Sequence, residues 1–151
     1  MIFFIVIFIL VLDQLTKFVI SKNLSLYQSI PLIRGFFHIS LVHNKGAAFG
    51  ILKNQLPLFI FTSLLAVALI YFDLIKNKQK KPLIYEVALG LILAGALGNL
   101  IDRVFFGYVI DFLDFRIWPV FNVADSAITI GAVLLAYQML FRKTEKHLPH
   151  R

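Results

Sequence analysis

The stretch "VIDFLDFRIWPVFNVAD", Val109 to Asp125, places three carboxylates, Asp111, Asp114 and Asp125, in a short bridge between two apolar runs. Two facing carboxylates that share one proton cannot both ionise cheaply, so their pKa values split. The ionised member can take a proton from water. The protonated member can hydrogen-bond a substrate carbonyl and stabilise the tetrahedral intermediate. That is peptide hydrolysis of the aspartic kind, for which no metal, cofactor or covalent intermediate is expected. Asn122 is placed as an N-cap with Asp125 at the third helical position, a capping-box-like arrangement that alone would account for Asp125. It does not account for the other two acids. If the flanking apolar segments pack side by side, Asp125 meets either Asp111 or Asp114, and their three-residue spacing leaves that choice open. Asp125 is the expected ionised partner, because a helix N-terminus favours an anion.

Other polar residues interrupt apolar runs. A charge in a transmembrane helix costs about 2.5–3.5 kcal/mol on insertion scales, so each calls for a reason. Asp13 and Lys17 form an i,i+4 pair in the favourable acid-first order. They can neutralise each other and snorkel, or serve a site. Asn99, Asp102 and Arg103 share one face near the end of their helix. They read either as a capping salt bridge or as a polar cluster aimed at a site. Other hydrolytic designs have little support. No H-E-x-x-H occurs, so no metal site is expected, and His38 and His43 have no acidic sequence neighbour. No G-x-S-x-G occurs, and Ser126 has no evident base.

The elements that must position these groups follow from composition. The 151 residues, enough for one domain, are 60% hydrophobic and only 15% charged. A domain this small has too little interior for that excess, and a bilayer is the natural sink. Four stretches approach the roughly 20 apolar residues that a span needs: 2–20, 57–75, 83–104 and 123–141. Asp13 and Lys17 and the lack of a basic n-region make the first a retained helix and not a cleaved signal peptide. Pro57 suits a first helical position. Tyr71, Tyr85, Tyr137 and Trp118 fall near span ends, as an aromatic belt would.

The basic loop "KNKQKK" at 76–81 and the tail "RKTEKHLPHR" at 142–151 place both termini in the cytoplasm. The tail is expected to be a disordered polar end. Segments 21–56 and 105–122 then lie outside. The first has strand-like stretches broken by Gly46 and Gly50, and reads as a small extracytoplasmic β-cradle, with 30–33 dipping into the interface. Gly90, Ala94 and Gly98 form a small-residue ridge with Gly95 beside it, suited to close helix packing. The fold class is mainly α and integral to a membrane. Topology accounts for the net charge of +7 without nucleic acid. A transporter would spread its charges through the membrane depth, whereas these gather toward the outer ends. A non-catalytic assembly protein would tolerate loss of either dyad carboxylate.

Five blocks in order, "DQLTK" from Asp13, "NKGAAFG" from Asn44, "AGALGNLIDR" from Ala94, "VIDFLDF" from Val109 and "FNVAD" from Phe121, resemble the lipoprotein signal peptidases, also called signal peptidase II. The resemblance implies an enzyme of the bacterial inner or plasma membrane, acting on its outer side. Such enzymes remove signal peptides from prolipoproteins, just before a cysteine that carries diacylglyceryl. It implies Asp111 and Asp125 as the dyad, against Asp114. It also implies Asp13, Asn44, Gly46, Asn99, Arg103 and Asn122 as residues lining or supporting the site, beside Lys17 and Asp102 from the reading above. Expected partners are diacylglyceryl-prolipoproteins, membrane lipids and globomycin-type inhibitors, and a monomer is the expected state. Substrate acyl chains can stay in the bilayer, and the signal peptide's apolar region can lie along the small-residue ridge as a partner helix. Two departures stand out. Ala94 replaces a glycine common in the family, and the stretch between the dyad residues is shorter than in many relatives.

Overall fold

Four long helices hold most of the chain in the computed structural model, which describes residues 1–46, 55–76 and 81–145. They are α1 (Ile2–Asn23), α2 (Leu56–Lys76), α3 (Leu83–Phe106) and α4 (Val123–Glu145). Each is long and apolar enough to cross a bilayer; at 1.5 Å per residue, 21 residues already reach roughly 32 Å. α2 begins one residue earlier than expected, so Pro57 is its second residue, still in the first turn where no helical N–H bond is lost. α4 continues past Phe141 to Glu145, so the expected disordered tail is helical at its start. Residues 146–151, and 77–80 of the basic loop, lie outside the described residues.

α3 is the central helix. Its span is 44% buried, against 11%, 6% and 17% for the spans of α1, α2 and α4, whose remaining apolar surface is left to face lipid. The small-residue ridge is what admits the neighbours so closely. A Cβ on Gly90 would meet the Ile5 side chain of α1 at 3.2 Å; one on Gly95 would run into the Ala124 carbonyl of α4; one on Gly98 would meet Asp13 Oδ2 at 2.6 Å. Ala94 is fully buried. The ridge is therefore filled by α1 and α4 and is not free to receive a substrate helix, contrary to that expectation.

This gives a first test. Gly95→Ala gains about 1 kcal/mol of helix propensity. It must nevertheless push apart the α3 and α4 backbones, so a net loss of about 1–3 kcal/mol is expected in detergent unfolding. Gly90→Ala, whose Cβ would meet Ile5 Cγ2 at 3.2 Å but no backbone atom closer than 3.7 Å, should cost less than Gly95→Ala.

Three strands, β1 (Ser29–Ile33), β2 (Phe37–Asn44) and β3 (Val109–Asp114), make an antiparallel sheet in the order β1-β2-β3. β2 lies in the expected cradle, whereas β1 takes in the stretch 30–33 that was expected to dip into the interface and instead pairs with β2. Gly50 and residues 47–54 lie outside the described residues. β3 corrects the reading of 105–122 as a loop: it pairs with β2 (Asn44 with Val109, Val42 with Asp111, His38 with Asp114). Gly107 makes this possible. It caps α3 in the left-handed region (φ 77°), its N–H bonded to the Arg103 carbonyl at 3.1 Å, and turns the chain directly into β3. Beyond β3 the chain folds back so that Phe121 N–H donates to the Leu113 carbonyl at 3.1 Å, and α4 starts two residues later.

Candidate active site

β3 delivers Asp111 and the first turn of α4 delivers Asp125 to the same end of the helices. Asp111 is only 2% exposed. Its Oδ2 accepts a hydrogen bond from Asn44 Nδ2 at 2.8 Å, and its Oδ1 one from Asn122 Nδ2 at 2.7 Å. The Gly46 N–H donates to Asn44 Oδ1 at 2.9 Å, which leaves the amide nitrogen of Asn44 turned toward Asp111. Asp125 Oδ1 accepts from Asn99 Nδ2 at 2.8 Å, and Oδ2 from the Asn122 N–H at 3.3 Å. The Asp125 N–H donates to Asn122 Oδ1 at 2.9 Å, so the capping box is closed from both sides. Asn122 thus touches both carboxylates. Burial pushes the Asp111 carboxyl up to about 7 and the charge on Asp125 adds to the rise, while hydrogen bonds from Asn44 and Asn122 and the charge on Lys17 oppose it.

Beneath this pair lies a buried ionic cluster. Lys17 Nζ is 2.8 Å from Asp13 Oδ2, 2.9 Å from Asp102 Oδ2 and 3.1 Å from Asn99 Oδ1, which uses all three of its N–H donors. Asp13 and Asp102 each have a second task. Asp13 Oδ1 accepts the Ala124 N–H at 2.9 Å, and Asp102 Oδ2 accepts the Ile110 N–H at 3.1 Å. Ala124 and Ile110 immediately precede Asp125 and Asp111. One lysine therefore ties down the backbone beside each dyad carboxylate, and through Asn99 it orients an amide toward Asp125. The snorkelling pair and the Asp102–Arg103 capping bridge are both corrected. Asp13 and Lys17 are buried, and Asp102 pairs with Lys17 across helices.

Asp114 has other work. Its carboxylate accepts from Ser40 Oγ at 2.7 Å, from the Arg116 N–H at 2.8 Å and from Arg116 Nη1 at 3.0 Å, holding Arg116 in the left-handed region (φ 64°). Burial raises its pKa, but these bonds outweigh that and hold it below the usual carboxylate value. It is a turn-fixing acid on the other side of β3 from Asp111.

The profile of the family described as Signal peptidase (SPase) II matches residues 5–141. The chain belongs to the signal peptidase II family. It is 46% identical over 138 residues to a lipoprotein signal peptidase of Moorella thermoacetica, covering 91% of each chain. It is 49% identical over 144 residues to one of Geobacter sulfurreducens, covering 91% of this chain and 89% of the relative. Two solved bacterial membrane enzyme structures share the fold. One has a TM-score of 0.90 at 35% identity, covering 99% of this chain and 93% of the other. The second has 0.83 at 37% identity, covering 92% of both. The protein is a multi-pass membrane peptidase.

Two cavities of this peptidase meet at Asp125. One, of about 530 Å³, is walled by Phe36, Phe115, Ile117, Trp118 and Phe121, with Ser126 beside Asp125. The other, about 250 Å³, opens between α2 and α4 past Phe59, Asn99 and Arg103. The Arg103 guanidinium lies 5.0 Å from the Phe59 ring centroid on the α2 side and shares this cavity with Asn99 and Asp125. His38 is hydrogen-bonded to Ser29 Oγ at 3.1 Å and His43 is stacked on Tyr108, so neither histidine joins the acid pair.

Sequence reasoning missed Gln14, whose Nε2 reaches Asp13 Oδ2 and Asp102 Oδ1, each at 3.1 Å. It missed Ser40 as the partner of Asp114. It also missed the aromatic wall, which the density of rings in "FRIWPVF" signals.

Proposed function

We propose that this peptidase removes signal peptides from prolipoproteins, cutting just before the diacylglyceryl-modified cysteine by direct attack of water between Asp111 and Asp125. The observation that carries this reading is Asn122, hydrogen-bonded to one carboxylate by its side chain and to the other by its backbone. At neutral pH the pair holds one proton. Burial favours keeping it on Asp111, and the first turn of α4 favours the anion on Asp125. Asp125 takes a proton from water as the oxygen attacks the scissile carbonyl carbon. Asp111 donates a hydrogen bond, then its proton, to the carbonyl oxygen, so the tetrahedral diol forms without a free oxyanion. Collapse breaks the C–N bond, the leaving nitrogen takes the proton from Asp125, and the diol returns a proton to Asp111.

An extended substrate chain crossing from the α2–α4 cavity to the aromatic one passes Asp125, with its diacylglyceryl chains remaining in the bilayer. Globomycin-type inhibitors would compete for the same groove. The lysines and arginines near 76–81 and after 141 support an orientation with both termini in the cytoplasm and the dyad at the outer face of a bacterial inner or plasma membrane. The chain acts as a single monomeric domain.

The test is cleavage of a purified diacylglyceryl-modified prolipoprotein beside its unlipidated precursor. Cleavage of the first at the residue before cysteine, with little of the second, is expected. Equal cleavage of both would overturn the substrate assignment.

A pH dependence follows. Cleavage should fall as pH rises through about 7, where Asp111 loses the proton that the mechanism uses. The linked stability has the same sign. The native pKa lies above the unfolded 3.8, so the contribution of Asp111 is fully present below 3.8 and is lost as pH rises through about 7. Turnover measured from pH 5 to 9 checks this.

A further inference from the structure

A third cavity, about 570 Å³, lies between α1, β2 and the corner where α3 turns into β3; neither Asp111 nor Asp125 lines it. Its walls include Phe18, Leu24, Leu41, Phe106 and Ile110. Its size falls in the roughly 300–1,000 Å³ range of small-molecule sites. Its polar lining is Gln14, Lys17 and Asp102, which already satisfy one another, with Ser21, His43 and Tyr108, of which His43 stacks on Tyr108. No charge at the back is left to receive a ligand's charge, so the interior suits an apolar chain.

The lip is different. Along α1 the lining positions are Gln14, Lys17, Phe18 and Ser21, and Lys22 continues that face one turn beyond Phe18. Lys22 is exposed, its Nζ 5.7 Å from the Phe18 ring centroid. Along β2 the lining positions are Leu41 and His43, and Lys45 follows two residues after His43, just past the end of the strand. Lys45 is exposed too. Two residues of chain reach at most about 7 Å, so Lys45 stays beside His43; burial first, and then the charge of Lys45, keep the His43 pKa below its ordinary value. His43 stacks on Tyr108 at 3.9 Å between centroids. Two exposed lysines thus adjoin the cavity, Lys22 in the last turn of α1 and Lys45 just past the end of β2. Among the described residues Asp102 is the one acid lining it, and Lys17 neutralises that acid.

We propose that this cavity binds one anionic phospholipid, an acyl chain inside and the phosphate between Lys22 and Lys45. Anionic headgroups are drawn to lysines that lie near a membrane surface. A zwitterionic lipid offers the same phosphate but brings its own cation against the two lysines, and an uncharged lipid offers no phosphate at all. The site stands apart from the dyad, and its test reads binding and not cleavage, so it stands or falls separately from the proposed function.

The full-length protein in detergent is mixed with equimolar dioleoylphosphatidylglycerol, dioleoylphosphatidylcholine and dioleoylglycerol, and retained lipid is read by native mass spectrometry. One phosphatidylglycerol per chain is expected, in preference to the other two. Lys22→Gln and Lys45→Gln should each lower its retention roughly fivefold. Ser21→Trp, which fills the cavity from the exposed side of α1, should remove it. Lys76→Gln, a charge-matched change beside Phe72 on α2, should leave it unchanged. Equal retention of the three lipids would overturn the proposal, as would a Lys76→Gln loss equal to that of Lys22→Gln.

Discussion

Asp111→Asn is expected to reduce cleavage of a diacylglyceryl-prolipoprotein by at least about 10³-fold, and Asp125→Asn to do the same. Asparagine keeps the shape of each position but turns one acceptor oxygen into an NH2 donor, which at 111 faces the amide of Asn44 or Asn122. Some loss of stability is therefore expected, and an unfolding midpoint measured beside kcat separates it from the loss of chemistry. Neither asparagine can shuttle a proton, so water loses its base or the carbonyl its acid. Asp114→Asn is the contrast. That acid is bonded to Ser40 and Arg116, not to Asn122. Its replacement should loosen the turn at Arg116 and leave most turnover in place. Full activity in Asp111→Asn with loss in Asp114→Asn would show that the wrong acid has been assigned.

Lys17→Met is expected to lower the stability of the folded protein by about 3–5 kcal/mol, because it leaves two buried carboxylates without their cation. Asp13 and Asp102 are then unpaired while still holding the backbone beside Asp125 and Asp111. One or both must take up protons or move, and either response displaces the dyad. Unfolding in detergent and kcat should fall together. Adding Asp102→Asn to Lys17→Met should recover part of the stability, since it removes one of the stranded charges. An unfolding midpoint for Lys17→Met equal to the unmodified protein's would show that the cluster does not hold the site.

The four helices were legible because a bilayer imposes a length and a composition that few other environments require. A small sheet was legible in segment 21–56 from the stretch that forms β2, but β1 was not, because Ile30 to Ile33 is a short apolar run around Pro31 that reads equally as an interface segment. β3 was not: Val109 to Asp114 is a short apolar run with two acids, and what makes it a strand is the edge of β2, far away in sequence. That miss left Asp111 and Asp114 equivalent from the residues alone. Once β3 is a strand, an odd spacing sends them to opposite faces, one to Asn122 and the other to Ser40 and Arg116. The same limit governs Lys17. An i,i+4 pair with Asp13 is visible in one helix, but Asp102 and Asn99 come from another, so the shared lysine emerges only from the packing of α1 on α3. The ridge of small residues was correctly read as packing. The partner helix placed on it was wrong, because α1 and α4 already fill it.

The shared proton is most directly tested by infrared spectroscopy of protein labelled with ¹³C-aspartate, titrated from pH 4 to pH 9. One protonated carboxyl band that disappears near pH 7, and is absent from Asp111→Asn at every pH, is the expected result. A pair fully ionised by pH 5, or a band that persists unchanged in Asp111→Asn, would contradict it.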